Sequence, residues 1–289
     1  MINRTVGSVK AQYAYTPQDV EILLCSDSPG RDDLALDGCT MIGTEENTGP
    51  GLARQRGIDA ASGEYVLFLD ADDILYNLLA FGLIFADMRR DPAPDMIKFP
   101  ILEEREDGAY AAHSQDSTWC FSKAFRRGFL SDHGIRFAQY RVHEDAYFVR
   151  LAELYHPNVV EHSDMIYLWA NNPASTVRRD RGIYWQKAFP DYIDVIYRIM
   201  AKKREMGTDN TQDHIYNICY CYATISRMYE EYEEKAIEAL KRHIDAADIV
   251  LFRALHEKCA GVLREIEALP NLPVRLCRYG FQTFLEKLR

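Results

Sequence analysis

Val66-Leu67-Phe68-Leu69-Asp70-Ala71-Asp72-Asp73 is the stretch that decides the fold of this 289-residue chain. Together with the preceding Tyr65, its apolar residues form a continuous run over 65–69, as expected for a strand buried on both faces of a parallel sheet. The carboxyl ends of such strands are where open α/β sheets bind ligands. Three carboxylates this close repel one another unless a cation or hydrogen-bond donors compensate. Mg²⁺ and Mn²⁺ prefer carboxylate and phosphate oxygens, so the stretch predicts a metal site at Asp70 and Asp72. The alternative is a solvated turn in which Asp72 or Asp73 caps the next helix.

The sequence around this stretch alternates between strand and helix patterns. Strands are predicted over 20–25, 40–42, 65–69 and 96–99, and helices over 3–13, 51–61, 75–89 and 146–154. This alternation predicts a doubly wound α/β sheet. From about residue 183 onward, helical periodicity dominates. We therefore expect a sheet domain over 1–180 and a helical region over 181–289.

The net charge of the chain limits the kinds of molecule that it can bind. Lys and Arg total 34 against 44 Asp and Glu, a net charge of −10, which disfavours a general nucleic-acid role. The same field repels any anionic ligand, so such a ligand requires a local metal or basic cluster. Seven scattered cysteines predict free thiols in a reducing cytoplasm. No apolar run is long enough to span a membrane and the amino terminus has no signal-peptide core, so we expect a cytoplasmic protein.

Three further segments could carry chemistry. Glu144-Asp145 opens a predicted helix, where a carboxylate is often only a cap. The turn over 46–54 combines glycines at a helix start with Arg54, which suits a phosphate or sugar ligand. Residues 175–179 join hydroxyls to Arg178 and Arg179, for which surface ion pairs are the default interpretation. Each segment is weakly specific when taken alone.

The order of these segments resembles the family-two glycosyltransferases, which have the GT-A fold. Five ordered blocks carry the resemblance: residues 20–28, 47–65, 66–73, 125–145 and 167–177. The fourth block contains Phe125-Arg-Arg-Gly-Phe-Leu130 and ends in His143-Glu144-Asp145, and the third matches the family's DxD signature. The resemblance implies a GT-A-like doubly wound sheet with a helical carboxyl-terminal region.

The resemblance also implies a mechanism. Asp72, with Asp70, would hold Mn²⁺ or Mg²⁺ against the two phosphates of a nucleoside-diphosphate sugar, a UDP-sugar being favoured. Asp145, beside Glu144, would be the catalytic carboxylate that takes a proton from the acceptor hydroxyl in an inverting transfer.

The remaining site residues follow from the same resemblance. Asp27 would contact the nucleoside, and Arg54 or Arg178 would add positive charge near the phosphates. The acceptor would be a glycan or a lipid-linked glycan, as in polysaccharide biosynthesis.

Two departures from the family pattern stand out. The family usually begins with a strand ahead of the 3–13 helix, and this sequence starts after it. Because that strand is central in the family's sheet, the resemblance implies a gap beside the donor base. Ser26 stands where the family commonly has a first Asp, beside the one that matches Asp27.

Three alternatives stay open. One is an inactive or truncated remnant that binds a nucleotide. Another is a haloacid-dehalogenase-like phosphohydrolase, although its motif normally lies near the amino terminus with Thr or Val where this chain has Ile74. The third concerns the tail over 272–289, whose mixture of basic and apolar residues fits either a peripheral membrane helix or packing against its own domain.

Overall fold

The computed structural model divides the chain into two compact units, residues 1–179 and 180–289. It describes residues 1–31, 35–114, 118–140, 142–173, 175, 183–208, 210–269, 272 and 275–289. Arg178, expected near the donor phosphates, and Arg179 lie outside the described residues, as does Arg141.

The first unit mixes helices and strands. Its helices are α1 (Ile2–Lys10), α2 (Gly49–Ala60), α3 (Ala80–Met88), α4 (Arg127–Asp132) and α5 (Glu144–Leu154). Its strands are β1 (Leu23–Cys25), β2 (Thr40–Ile42), β3 (Tyr65–Leu67), β4 (Ile74–Leu75), β5 (Met96–Lys98), β6 (Ile101–Glu104), β7 (Tyr110–His113), β8 (Lys123–Arg126), β9 (Val159–Glu161) and β10 (Tyr167–Trp169).

These strands form three sheets. β1 pairs with β2 in parallel, β4-β10-β6-β7 form a second sheet, and β3-β8-β5-β9 form a third. The expectation of parallel neighbours for β3 is wrong, because β3 runs antiparallel to β8. β8 separates β3 from β5 in that sheet. Its two central residues are Ala124 and Phe125, whose burial makes β8 a suitable internal strand.

The expected burial of β3 on both faces is also wrong. Tyr65, Val66 and Leu67 are only half-buried, although Met96 and Ile97 of β5 are fully buried. The difference follows from strand order: β5 lies between β8 and β9, whereas β3 has β8 on one side and, within the described part of the chain, no strand on the other.

The predicted helix over 75–89 starts late. Ile74 and Leu75 instead form β4, which pairs with Tyr167 and Leu168 of β10, and α3 begins at Ala80. The long-range pairing with β10 overrides the local helical pattern. Leu75 is buried under this pairing.

The second unit is helical. It contains α6 (Ile183–Glu205), α7 (Thr211–Ile225), α8 (Glu230–Lys241), α9 (Ala246–Ala254), α10 (His256–Glu267) and α11 (Phe281–Lys287). Phe284, Leu285 and Leu288 of the tail are buried in its core, while Leu276 is 91% exposed. Within the described ranges, none of the helices combines the length and apolar composition that crossing a bilayer requires.

Candidate donor and catalytic site

Buried groups from α1 and from β10 and the residue that follows it hold the acidic turn after β3 in place. The Thr5 hydroxyl of α1 lies 2.8 Å from the carbonyl oxygens of both Ala71 and Asp73. Asp73 itself is buried, and its carboxylate accepts hydrogen bonds from Tyr167 Oη at 2.5 Å and from Ala170 N at 2.8 Å. Burial raises the pKa of Asp73 to about 7, even though these two hydrogen bonds lower it. Asp73 therefore anchors the turn.

The other two carboxylates of the turn are half-buried. Asp70 Oδ1 lies 2.7 Å from Arg54 Nη2, and its backbone N–H donates to Tyr167 Oη at 3.3 Å. Asp72 Oδ2 accepts a hydrogen bond from Asn172 Nδ2 at 2.7 Å. The two side chains are thus held by donors on either side of the turn in the sequence, Arg54 before it and Asn172 after it.

Arg54 joins the acidic turn to α5. Its Nη1 lies 2.6 Å from Glu144 Oε1, while its Nη2 reaches Asp70. The side chains of Arg54 and Glu144 are 16% and 8% exposed, and that of Asp70 is 35% exposed. Arg54 was predicted beside the donor phosphates from its place in the 46–54 turn; the structure places it between these two acids.

Asp145 lies at the start of α5, next to Glu144. Ala146 N donates to Asp145 Oδ1 at 2.7 Å. Withdrawal from water and the neighbouring charge of Glu144 raise the pKa of Asp145 to about 7. A carboxyl group with a pKa near the working pH is suited to exchanging protons with a substrate.

Gly51 lets α2 approach α5 closely. A Cβ at this position would lie 2.9 Å from Glu144 Cβ and 3.0 Å from the Ala138 carbonyl oxygen. The glycines of the 46–54 turn were predicted to admit a ligand. At Gly51 the close neighbour is instead Glu144, whose carboxylate this packing keeps within reach of Arg54.

A cavity of about 400 Å³ collects three of the predicted donor residues. Asp27, Arg54 and Asp70 line it together, and Asp27 Oδ1 also accepts a hydrogen bond from Ser28 Oγ at 3.1 Å. Asp72, Glu144 and Asp145 do not line this cavity. The site therefore has a cavity lined by Asp27, Arg54 and Asp70 and, across Arg54, a pair of acids on α5.

Sequence analysis missed three residues of this region. Arg31 lines the same cavity, and Tyr167 and Asn172 hold the acidic turn. Arg31 follows the Pro29-Gly30 turn, and a basic residue beside an acidic turn is a signal that could have found it. Tyr167 and Asn172 lie in the block over 167–177 that carries part of the resemblance, but their contacts with the turn could not be predicted locally, because their partners lie about a hundred residues earlier.

The carboxylates of the acidic turn suit a divalent cation that also binds oxygen atoms of a substrate. Within the described ranges, no group of three or more His, Cys, Asp or Glu side chains is arranged to enclose a metal. Asp70 and Asp72 offer two carboxylates on one turn. Mg²⁺ is commonly bound by one or two carboxylates together with substrate phosphates and water, without a cage made only of protein ligands. The pair fits that pattern.

Tyr167→Phe tests how the turn is held. Removing the hydroxyl leaves the buried Asp73 carboxylate with one donor fewer, so we expect a loss of about 1–3 kcal/mol of unfolding free energy. Urea unfolding at pH 8 would measure it. Tyr110→Phe, at an exposed tyrosine on β7, is the control and should change little. An equal effect in the two variants would contradict this role of Tyr167.

The amino-terminal part of the chain matches a known protein family. Residues 1–139 match the family described as Glycosyl transferase family 2. This segment belongs to family two. The five ordered blocks over 20–177 had predicted that family, and the match over residues 1–139 confirms it.

One curated relative supports the assignment over a shorter stretch. An uncharacterized glycosyltransferase of Rickettsia bellii (strain RML369-C) is 31% identical over 93 residues, which are 30% of this chain. The aligned part spans only 14% of that relative's length.

Solved structures show the fold. The chain is similar to S. aureus TarS residues 1–349 in complex with UDP-GlcNAc, with a TM-score of 0.63, 16% identity, and coverage of 99% of this chain and 86% of that one. A second S. aureus TarS structure gives a TM-score of 0.62 and 17% identity, covering 92% of this chain and 51% of that one. The predicted GT-A-like α/β fold with a helical carboxyl-terminal region is confirmed.

Proposed function

We propose that this protein transfers a sugar from a nucleoside-diphosphate sugar to a hydroxyl of a glycan or lipid-linked acceptor, with inversion at the anomeric carbon. The observation that carries the proposal is the shared cavity of Asp27, Arg54 and Asp70 at the carboxyl end of β3, with Arg54 joining it to Glu144. Residues 1–180 would bind the donor and perform the reaction, and residues 181–289 would form a separate helical region.

Asp70 and Asp72 would hold a divalent cation, Mn²⁺ or Mg²⁺. Such a cation, when bound, neutralises charge that develops on the departing diphosphate. Asn172 and Tyr167 orient the two carboxylate-bearing residues of the turn, and Asp27 provides an acceptor for nucleoside hydroxyls or the base.

Asp145 would act as the general base. It takes the proton of the acceptor hydroxyl while that oxygen bonds to the anomeric carbon and the bond to the diphosphate oxygen breaks. The proton ends on the carboxylate of Asp145, and the electron pair of the broken bond leaves with the diphosphate. Glu144, paired with Arg54, positions Asp145 and contributes to its raised pKa.

The favoured donor is a UDP-sugar, because the S. aureus TarS structure that resembles this chain is in complex with UDP-GlcNAc. We propose that the protein acts in the cytoplasm on acceptors of polysaccharide biosynthesis. Peripheral membrane contact through the tail would rest on exposed Arg275 and Leu276, because Phe284 and Leu285 are buried.

Calorimetry tests the donor site directly. UDP and GDP would be titrated into the wild type and into Asp72→Asn, with and without Mn²⁺. We expect Mn²⁺-dependent binding of UDP that is at least tenfold weaker in Asp72→Asn, because that variant loses an anionic metal ligand. Glu234→Gln, at an exposed carboxylate of α8, should bind like the wild type.

Other outcomes would contradict the metal role or indicate one of the alternative functions. Equal UDP binding with and without Mn²⁺ would contradict the metal role of Asp72. Metal-dependent binding without transfer to any acceptor would identify a nucleotide-binding remnant, and phosphatase turnover without a nucleotide would identify a phosphohydrolase.

A further inference from the structure

Arg56 lies two residues after Arg54 on α2 and binds a different part of the molecule. Its Nη2 donates to the Ser26 carbonyl oxygen at 2.9 Å, and its Nη1 donates to Thr48 Oγ1 at 3.0 Å. Residues two apart on a helix point in directions that differ by about 200°. One helix therefore holds the acidic turn through Arg54 and the segment after β1, which contains Asp27, through Arg56.

Gly57 lets α2 lie close to the end of β1. A Cβ at this position would lie 2.8 Å from Cys25 Sγ, which is too close for two non-bonded atoms. Ser26 is buried, and its N–H donates to the Ile42 carbonyl oxygen at 3.1 Å. The end of β1 is thus fixed between β2 on one side and α2 on the other, and Arg56 is within reach of the Ser26 carbonyl.

The hydroxyl of Thr48 is engaged by Arg56. Thr48 precedes the first turn of α2, where a threonine usually caps the helix. In the described structure its side chain makes no capping hydrogen bond, and its hydroxyl oxygen accepts from Arg56 instead. Arg56 is not among the described residues that line the donor cavity. Any effect of Arg56 on a bound donor must therefore pass through Ser26.

Residues 26–28, which we name the nucleoside turn, are joined by short-range hydrogen bonds. Ser26 Oγ donates to the Ser28 carbonyl oxygen at 2.8 Å and accepts from Ser28 N at 3.1 Å, and Ser28 Oγ donates to Asp27 Oδ1 at 3.1 Å. These bonds shape the turn but do not attach it to the rest of the protein. The hydrogen bonds recorded to the rest of the described chain are those of the Ser26 N–H with β2 and of the Ser26 carbonyl with Arg56.

The bond from Arg56 sets the orientation of the peptide between Ser26 and Asp27. In a trans peptide the carbonyl and the following N–H point in opposite directions. A Ser26 carbonyl held on Arg56 therefore directs the Asp27 N–H away from the guanidinium. Within the described ranges, no hydrogen bond from that N–H is recorded. Asp27 lines the donor cavity, so it has a backbone donor beside its carboxylate acceptor.

This pair of a donor and an acceptor matches one kind of nucleobase edge. Uracil has a carbonyl oxygen next to a ring N–H, which complements a backbone N–H and a carboxylate. Cytosine has an amino group and an unprotonated ring nitrogen at the same two positions, so donor would meet donor and the carboxylate would meet a lone pair. A site with fixed polar groups rejects a ligand of the wrong pattern, because the groups of the site lose their partners.

We propose that Arg56 is a positioning residue that makes the donor site selective for a nucleobase with a carbonyl beside an N–H, because it holds the Ser26–Asp27 peptide in one orientation. The inference rests on the proposed function, in which Asp27 contacts the nucleoside. Without the bond from Arg56 this peptide can rotate, and the nucleoside turn then has no fixed order of donor and acceptor.

Calorimetry with UDP and with CDP, each in the presence of Mn²⁺, tests the selectivity. In Arg56→Met we expect the affinity for UDP to fall about tenfold, because a hydrogen bond to a charged group is worth about that factor in an equilibrium. Binding of CDP should change little, so the ratio of the two affinities falls. Arg56→Lys keeps a cationic donor and should restore part of the ratio.

Arg127→Met is the matched control. Arg127 also donates to two backbone carbonyl oxygens, those of Gly63 at 2.7 Å and Ser62 at 3.2 Å, but neither belongs to the nucleoside turn. Its replacement should leave the ratio of UDP to CDP affinity as in the wild type. An equal loss of UDP and CDP affinity in Arg56→Met, or the same fall of the ratio in Arg127→Met, would overturn the inference.

Residue-resolved amide exchange without any nucleotide tests the nucleoside turn by itself. In Arg56→Met the Ser26 N–H, which is the other attachment of the turn, should exchange about tenfold faster. The Thr40 N–H donates to the Ile22 carbonyl oxygen at 2.9 Å between β2 and β1, so it serves as the internal control and should not change.

The two measurements separate this inference from the proposed function. Faster exchange at Ser26 without any UDP binding to the wild type would leave the positioning role of Arg56 intact and reject the proposed function alone. Binding of UDP to the wild type with unchanged exchange at Ser26 and an unchanged affinity ratio in Arg56→Met would do the reverse.

Discussion

Asp145→Asn is expected to abolish sugar transfer and, at the same time, to make the protein more stable above pH 7. An amide cannot take the proton of the acceptor hydroxyl, and loss of a general base reduces turnover by about 10²–10⁴-fold. The substitution keeps the shape of the side chain, and its oxygen can still accept the hydrogen bond from Ala146 N. Binding of UDP with Mn²⁺ should therefore be unchanged.

The expected gain in stability follows from the raised pKa. Burial and Glu144 raise the pKa of Asp145 from 3.8 to about 7, so the folded protein disfavours the charged form that the unfolded chain adopts above about pH 4. The resulting destabilisation grows between about pH 4 and pH 7 and is complete above that. Asparagine carries no charge, so Asp145→Asn should stabilise little at pH 4 and by about 1 kcal/mol or more at pH 8.

Thermal unfolding at pH 4 and pH 8, with Asp132→Asn as the control, would measure this effect. Asp132 is an exposed carboxylate at the end of α4, and its replacement should change stability little at either pH. Turnover of the wild type should rise through about pH 7 as Asp145 ionises. Unchanged turnover in Asp145→Asn would remove Asp145 from the catalytic role, and loss of UDP binding would mean that the substitution disturbs the fold.

The sequence was most informative where function and local pattern coincide. The apolar run before Asp70-Ala71-Asp72 was expected to be a strand, and β3 lies there; Glu144-Asp145 was expected at the start of a helix, where α5 begins. These signals are local: a strand of given composition and a helix start can be recognised within a few residues.

The features that the sequence did not predict depend on contacts between residues that are distant in the chain. Arg54 and Glu144 are 90 positions apart, and their pairing depends on Gly51 admitting α5 beside α2. The incomplete burial of β3 depends on which strands flank it, which its own sequence does not specify. β4 replaced a predicted helical turn because β10 was available for pairing.

Arg54→Met is the second change with a large expected effect. It removes the cation between Glu144 and Asp70, leaving a buried carboxylate, 8% exposed, without its partner. Breaking a buried ion pair from one side costs about 3–5 kcal/mol. Because Asp70 is 35% exposed and water can solvate it, we expect a loss near the lower limit, about 3 kcal/mol. Urea unfolding at pH 7.5 would measure it.

Arg136→Met is a matched control. Arg136 lies 2.7 Å from Asp59, the same distance as Arg54 from Asp70, but this pair is on the surface, with side chains 58% and 47% exposed. Its loss should be at most about 1 kcal/mol. Adding Glu144→Gln to Arg54→Met removes the isolated charge and should restore part of the stability. Equal losses at Arg54 and Arg136 would show that water already solvates the Arg54 pairs.

The same variant separates two uses of Asp70. In the present structure the Asp70 carboxylate is paired with the Arg54 guanidinium, 2.7 Å away, so a divalent cation bound to Asp70 as proposed would have to compete with Arg54. A donor diphosphate supplies additional oxygen ligands and shifts that competition toward the metal. Without Arg54, Mn²⁺ alone should raise the unfolding temperature of the variant more than that of the wild type. An equal shift would mean that Arg54 and the metal do not compete for Asp70.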